Sequence, residues 1–341
     1  MVTDYAPQHI IGEAPAFLAM LEHVSRAAPL NKPVLVVGER GTGKELITSR
    51  LHFLSKRWEQ PLVKVNCAAL TESILESELF GHEAGAFTGA QRTHIGHFER
   101  AHGGTLVMDE LATISLRMQE KILRVIEYGE LQRVGGSETI SVDVRIAGST
   151  NANLQSLVAD GRFREDLLDR LAFDVITIPP LRERLEDILP LGFAFAMNMV
   201  SELELPLFPG FSARASSSLL RHDWPGNVRE LKNAVERSVY RLNDKTRQVS
   251  EIAFDPFDSP FRLRDAVKPR VAQAADSPSQ RKHLLPVKLG ERLADLEREL
   301  IEAALQRSKF NQRVAATLLG VSYHQLRGKI RKHRLDVRKP A

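Results

Sequence analysis

The residues with the clearest chemical purpose are Gly38, Glu39, Arg40, Gly41, Thr42, Gly43 and Lys44. They read G-x-x-x-x-G-K, directly after the β-branched run 33–37 and before a helical pattern that opens at Glu45. Glycines let successive backbone N–H groups turn inward around a phosphate. The following helix N-terminus adds its positive dipole end, and the lysine bridges the β- and γ-phosphates. The strand–loop–helix context makes a chance glycine turn a poor alternative. Glu45 stands where the motif has Ser or Thr, so the usual hydroxyl ligand for Mg²⁺ is missing there.

A phosphate loop needs an acidic partner at the end of a neighbouring strand. Thr105-Leu106-Val107-Met108-Asp109-Glu110 supplies one. Asp109 would hold Mg²⁺ through its water shell, and Glu110 would orient the attacking water. Arg164 and Arg170 lie on a helical stretch with Glu165, Asp166 and Asp169. Taken alone they read as local ion pairs, worth little on a surface. Beside an ATPase core they become candidate arginine fingers for a neighbour's γ-phosphate.

Gly85, Ala86, Phe87, Thr88, Gly89 and Ala90 form a glycine-hinged loop with neither strand nor helix periodicity. Phe87 is either an exposed apolar anchor for a partner or a ring tucked beneath the loop. His82, His94, His97 and His102 match no metal spacing. Cys67 reads as a small buried apolar residue. Trp58, at the polar end of a helical run, is either core or an exposed contact aromatic.

The tail offers a different chemistry. Residues 312–319 make a short helix with Val314, Ala315, Leu318 and Leu319 on its apolar face. Gly320-Val321-Ser322 turns the chain, and Ser322 can cap the next helix. That helix turns Leu326 and Ile330 inward and Tyr323, His324, Arg327 and Arg331 outward, the spacing of a helix-turn-helix reader of the major groove. Residues 309–341 carry nine basic residues against one acid, suited to phosphate contacts. The competing reading is a basic hairpin that contacts protein, which Ala316 and Gly320 at tight-packing positions disfavour. The preceding helix, 291–308, places Leu293, Leu296, Leu300, Ala303 and Ala304 on one side, where they could pair two readers.

These groups need elements to hold them. At 341 residues the chain predicts two or three domains. With 43% hydrophobic and 26% charged residues it is neither a disordered tail nor a fibre. Strands are expected at 33–37, 62–66, 105–108, 142–149 and 173–178, alternating with helical patterns, which argues for a parallel sheet flanked by helices. Pro179 and Pro180 break the chain, and a helical pattern runs from Glu183 to about Asn243 through Leu219, Leu220, Val228, Leu231, Ala234 and Val235. Pro260, Pro269, Pro278 and Pro286 mark a linker. The expected organisation is an α/β ATPase core over 1–178, a helical subdomain over 179–258, a linker over 259–288 and a DNA-binding helical domain over 289–341. No apolar run reaches the ~18 residues of a membrane span, the start of the chain shows no export signal, and the single cysteine fits a reducing, cytoplasmic setting. Residues 261–341 carry 19 Lys and Arg against 8 Asp and Glu, and the remainder 28 against 35. An acidic body with a basic tail fits a catalytic module joined to a nucleic-acid reader.

Over nearly its whole length the chain resembles the AAA+ bacterial enhancer-binding proteins, which activate sigma-54 RNA polymerase. Residues 38–45 resemble the family's Walker A, where Glu after the Lys is common, and Asp109-Glu110 resembles its Walker B. Residues 85–90 are identical to the GAFTGA signature, the loop with which the family touches the sigma factor. Asn66 resembles the switch asparagine that couples the Walker B Glu to that loop, and Thr150-Asn151 resembles sensor I. Arg164 and Arg170 match the arginine fingers. Trp224-Pro225-Gly226-Asn227-Val228-Arg229-Glu230-Leu231 resembles the lid motif with the sensor II arginine, Arg229.

The resemblance implies an α/β AAA+ P-loop sheet with a helical lid and a C-terminal all-α Fis-type helix-turn-helix. It implies ATP and Mg²⁺ as cofactors. The implied partners are upstream DNA, sigma-54 RNA polymerase and other copies of the chain in a ring, expected to be a hexamer. Most members begin with a sensory domain, whereas here the P-loop strand starts at residue 33, so control in cis is expected to be absent. The layout resembles the phage shock (psp) branch, held in check in trans by the regulator PspA. In that setting Trp58 is the implied regulator contact.

Overall fold

The computed structural model describes residues 10–242, 244, 246–258, 289–308, 311–333 and 335. The chain forms two compact units, Met1–Arg262 and Leu263–Ala341. The segment read as a linker, 259–288, lies outside the described residues, as do residues 1–9 of the start of the chain.

The first unit opens with α1 (Pro15–Ala27), β1 (Val34–Val37) and α2 (Lys44–Phe53), followed by β2 (Leu62–Asn66), α3 (Glu72–Phe80) and the short α4 (His97–Arg100). Then come β3 (Thr105–Asp109), α5 (Leu116–Tyr128), a two-residue hairpin of β4 (Glu130–Leu131) and β5 (Ile140–Ser141), and β6 (Arg145–Thr150). The helices α6 (Leu154–Ala159) and α7 (Glu165–Leu171) lead to β7 (Asp174–Thr177). Five strands pair in parallel in the order β2-β3-β6-β1-β7. Such a sheet is covered on both faces, so its strands read as continuous apolar runs. In β1, Leu35 enters the core with Leu106, Met108 and Ile146, whereas Val34 and Val36 enter the one beneath α1 with Phe17 and Ile176.

Four of the expected strands are present with small changes of boundary. The strand expected over 142–149 differs more: residues 140–141 pair with 130–131, and after three residues outside any strand β6 begins only at Arg145. A two-residue pairing is too short to leave a periodic signal. Trp58 is not on a helix, because α2 ends at Phe53.

Residues 181–183 and 185–187 form two 3-10 turns, so the helical pattern expected from Glu183 becomes regular α-helix only at Ile188. Three helices follow: α8 (Ile188–Glu202), α9 (Ala213–Arg221) and α10 (Asn227–Tyr240). They enclose Leu191, Leu219, Leu231, Val235 and Trp224, whose indole Nε1 donates to Leu219 O at 2.9 Å. Leu220 faces outward.

The second unit contains α11 (Leu289–Arg307), α12 (Gln312–Leu318) and α13 (Tyr323–Lys332). Ile301, Ala304, Leu305, Ala315, Ala316, Leu326 and Ile330 form its core. Of the expected face of α12, Ala315 is buried and Leu319 packs against the core, but Val314 and Leu318 are exposed and Ala316 is buried in their place. Gly320 does not mark tight packing either. A Cβ there would meet nothing within 4 Å, and the glycine is required by its φ of +64°. Among the described residues no helix is long and apolar enough to cross a membrane.

Candidate nucleotide site and DNA-binding surface

The phosphate loop lies where β1 hands over to α2, at the carboxyl end of a parallel sheet, the usual place for ligands in such folds. Gly38 N–H donates to Thr150 O at 3.2 Å and so ties the loop to β6. Gly41 and Gly43 hold φ at +78° and +98°, which other residues rarely adopt. Lys44 is 8% exposed, and its Nζ donates to Gly38 O and Glu39 O at 3.0 and 3.2 Å. Burial lowers the Lys44 pKa, with the charges of Glu110 and Asp109 pulling the other way. Thr42 Oγ1 donates to Glu39 O. Glu45 is turned away to pair with Lys64 at 3.0 Å.

The acidic pair terminates β3. Asn66 at the end of β2 is the register partner of Asp109, and Ser149 on β6 donates Oγ to Asp109 Oδ1 at 2.5 Å. Glu110 sits at φ +52°, a left-handed setting that sends the chain sharply off the strand. Asn66 Oδ1 accepts from Ala68 N at 2.9 Å, which holds it on its own turn. Asn151 is half-buried after Thr150, whose hydroxyl accepts from Ala152 N. Lys44, Asn66, Asp109, Glu110 and Asn151 thus collect at one end of the sheet. The neighbouring Cys67 is buried, and burial pushes its thiol up to about 12.

The start of α10 packs onto this loop. Arg229 N–H donates to Gly41 O at 3.3 Å, and a Cβ on Gly41 would lie 2.3 Å from Gly226 O. Two residues the sequence reading did not single out hold the same loop. Arg182 makes a bidentate pair with Glu39 at 2.9 and 2.6 Å. Asn227 donates Nδ2 to Glu39 Oε2 and Arg40 O, both at 3.1 Å. The Arg182 guanidinium, then the Asn227 amide, hold the Glu39 carboxyl down at about 2. Asn227 lies inside the lid-like motif 224–231, but nothing local marks which of its residues reach the loop.

Arg164 and Arg170 are not brought to this chain's own phosphate loop. Arg164 donates to Asp166 at 3.0 and 2.7 Å, and Arg170 to Glu127 at 3.0 Å.

Residues 81–96 run as a loop between α3 and α4. Phe87 is 48% exposed, with one edge against the His82 ring at a centroid distance of 4.9 Å. Gly85 N–H donates to Ala90 O at 2.7 Å, and Gly85 and Gly89 take φ of +83° and +102°. The connection between β4 and β5 braces this loop. Glu83 N–H donates to Val134 O, Val134 N–H donates to Gly81 O, and Gly135 packs against Ala86. Arg133 donates to both Glu83 and Glu99. His94 and His97 lie 3.5 and 3.6 Å from Glu78, and His82 pairs with Ser77. Trp58 is 57% exposed, with Leu54 also exposed nearby.

In the second unit, Ser322 caps α13 in a capping box with Gln325. Leu326 and Ile330 face the core, while Tyr323, His324, Arg327 and Arg331 are exposed. On α11, Ala304 is buried, but Leu296 and Leu300 are about half exposed.

Three family models match the chain: the sigma-54 interaction domain over residues 10–178, the AAA+ ATPase lid domain over 182–259, and the bacterial regulatory protein Fis family over 292–333. The Psp operon transcriptional activator of Escherichia coli K12 is 55% identical, covering 96% of this chain and 98% of the relative. The transcriptional regulatory protein ZraR of Klebsiella oxytoca is 42% identical, covering 96% and 70%. Among solved structures, NtrX from Brucella abortus in complex with ATP superposes with a TM-score of 0.67 at 32% identity, covering 96% of this chain and 70% of that one.

Proposed function

The chain belongs to the sigma-54-dependent transcriptional activators, and from that membership we propose that it is an ATP-hydrolysing, ring-forming activator of the phage shock (psp) operon, acting in the cytoplasm. The observation that carries this reading is the gathering of Lys44, Asp109 and Glu110 at one end of the sheet, in a chain that also presents Phe87 on a braced, exposed loop.

Lys44 and the backbone N–H groups of Gly41, Gly43 and Lys44 would grip the phosphates, with Gly38 and Thr42 using theirs to hold the loop together and Glu39, Arg40 and Glu45 shaping it. The site suits Mg²⁺ held chiefly by phosphate and water. Asp109 offers a hard carboxylate oxygen fixed by Ser149, and among the described residues no group of His, Cys, Asp or Glu could hold a metal by itself. There the ion would neutralise charge on the β- and γ-oxygens. Glu110 orients the attacking water. Asn66, one strand away, would exchange its own turn for Glu110 and so pass the nucleotide state toward residues 85–90. Asn151 and Arg229 read that state from the sheet and the lid.

Arg164 and Arg170, paired on their own surface, are free to exchange those weak pairs for a neighbouring copy's γ-phosphate, the reason a ring is needed. A hexamer is the proposed ring. Residues 85–90 then push on sigma-54. Ser322, Tyr323, His324, Arg327 and Arg331 meet upstream DNA. Trp58 is the proposed contact for a PspA-like negative regulator. We also propose the domain spans 1–178, 179–258, 259–288 and 289–341 for core, lid, linker and reader.

The deciding experiment is sigma-54-dependent promoter opening in vitro. Removing Phe87 should leave ATP turnover intact and abolish opening, and Glu110→Ala should abolish both. Opening by the Glu110→Ala chain would leave a DNA-binding regulator that does not use ATP. Full output without Phe87 would point to another kind of AAA+ machine.

A further inference from the structure

We propose that Asn227 is a positioning residue for nucleotide turnover: with Glu39 and Arg182 it forms a joint through which the setting of the helical lid dictates the shape of the phosphate loop. This rests on the reading of residues 38–44 as the ATP loop.

Asn227 is completely buried and sits at φ +53°, a left-handed setting that asparagine tolerates better than most residues. Each polar atom of its amide is used. Oδ1 accepts from Leu181 N at 2.8 Å, where the chain leaves the sheet for the lid. Nδ2 donates to Glu39 Oε2 and Arg40 O at 3.1 Å. Its backbone N–H donates to Trp224 O at 2.8 Å, which ties the joint to the centre of the lid core.

Glu39 is gripped from the other side by the bidentate Arg182. Gly41 is pinned by Arg229 N–H and lies against Gly226 O. Residues 39–41 are therefore fastened at four points to the two lid segments 181–182 and 226–229. None of these lid groups needs to touch nucleotide to matter. A lid that tilts must either drag the loop or break a set of charge-assisted bonds around a buried amide, and buried polar groups are costly to leave unmade. The joint thus makes loop shape and lid tilt one variable.

The test uses the full chain, with ATP turnover and affinity for a fluorescent ATP analogue as readouts. Asn227→Asp keeps the acceptor for Leu181 but turns a carboxylate onto Glu39 and Arg40 O. It should raise KM and the analogue Kd about tenfold. Adding Glu39→Gln restores a donor–acceptor pair of reversed polarity and should recover part of that loss. Should Asn227→Asp melt early, the surface variants Glu39→Gln and Arg182→Ala decide by the same readouts, each raising KM.

A fall in kcat at unchanged KM, with no recovery in the double variant, would mean a merely structural role and overturn the proposal. So would KM and kcat within about twofold of the parent in all variants. A parent chain that neither binds nor turns over ATP would overturn the underlying reading and the joint together.

Discussion

At the level of single side chains, the Glu39 carboxyl and the Cys67 thiol move in opposite directions, one through partners and the other through burial. Glu39 falls from 4.5 to about 2 because Arg182 and Asn227 bond its ionised form. A depressed acid stabilises the folded chain above its unfolded pKa and loses that contribution as pH falls through the folded value. The loop-to-lid joint should therefore be complete above pH 4.5 and fade toward about pH 2. Acid melts of the parent and Glu39→Gln should run apart above that window and converge within it; curves separated equally at every pH would remove the assignment. Cys67 is raised to about 12 by burial and by the Asp109 charge. Only the thiolate reacts quickly, so a disulfide reagent at about pH 8 should leave the folded chain unlabelled and modify its one thiol in guanidinium. Labelling of the folded chain at the rate of a free thiol would contradict the burial. The glycines and lysine of the phosphate loop were legible from sequence because their chemistry is local. Arg182 was not, because an arginine in a polar run carries no mark of the carboxylate it will find.

Elements decide what a residue can do with its freedom. Gly85 and Gly89 have open space where a Cβ would stand, so their glycine requirement is one of φ alone. Gly89→Ala should cost about 1–2 kcal/mol within the loop, reduce promoter opening and spare ATP turnover. Gly135→Ala adds a clash, since its Cβ would come 2.7 Å from Ala86 Cβ, and should impair opening more severely. Equal effects of the two variants would argue against the brace from the β4–β5 connection. That connection escaped the sequence reading because its strands have only two residues each.

In the second unit, Glu297 on α11 accepts from Lys329, Lys332 and His333, and its carboxyl is held down at about 2. Two lysines of the reader helix are thereby tied to a neighbouring helix rather than offered to phosphate. Glu297→Gln should release them and steepen the salt dependence of DNA binding by up to about two charges. An unchanged slope would show that those lysines already reach DNA. The composition of the tail announces a basic surface, but only packing of α13 on α11 shows which cations are engaged.

Across the whole molecule, the charge asymmetry seen in the sequence maps onto two separate compact units, Met1–Arg262 and Leu263–Ala341. A ligand raises the melting point of the unit it binds. Calorimetry of the full chain should show two transitions, one raised by ATP and the other by upstream DNA; a single transition shifted by both would mean one cooperative body. The sequence by itself determined the phosphate loop, the acidic strand end, the hinged loop and the cap of the reader helix. Each is written in a few consecutive residues, and backbone geometry and hydrogen bonding act over that range. Only the tertiary structure decided which side chains meet around them. Arg182 reaches Glu39 across 143 residues and Asn227 reaches it across 188, and such pairings exist only once the sheet and the lid have packed.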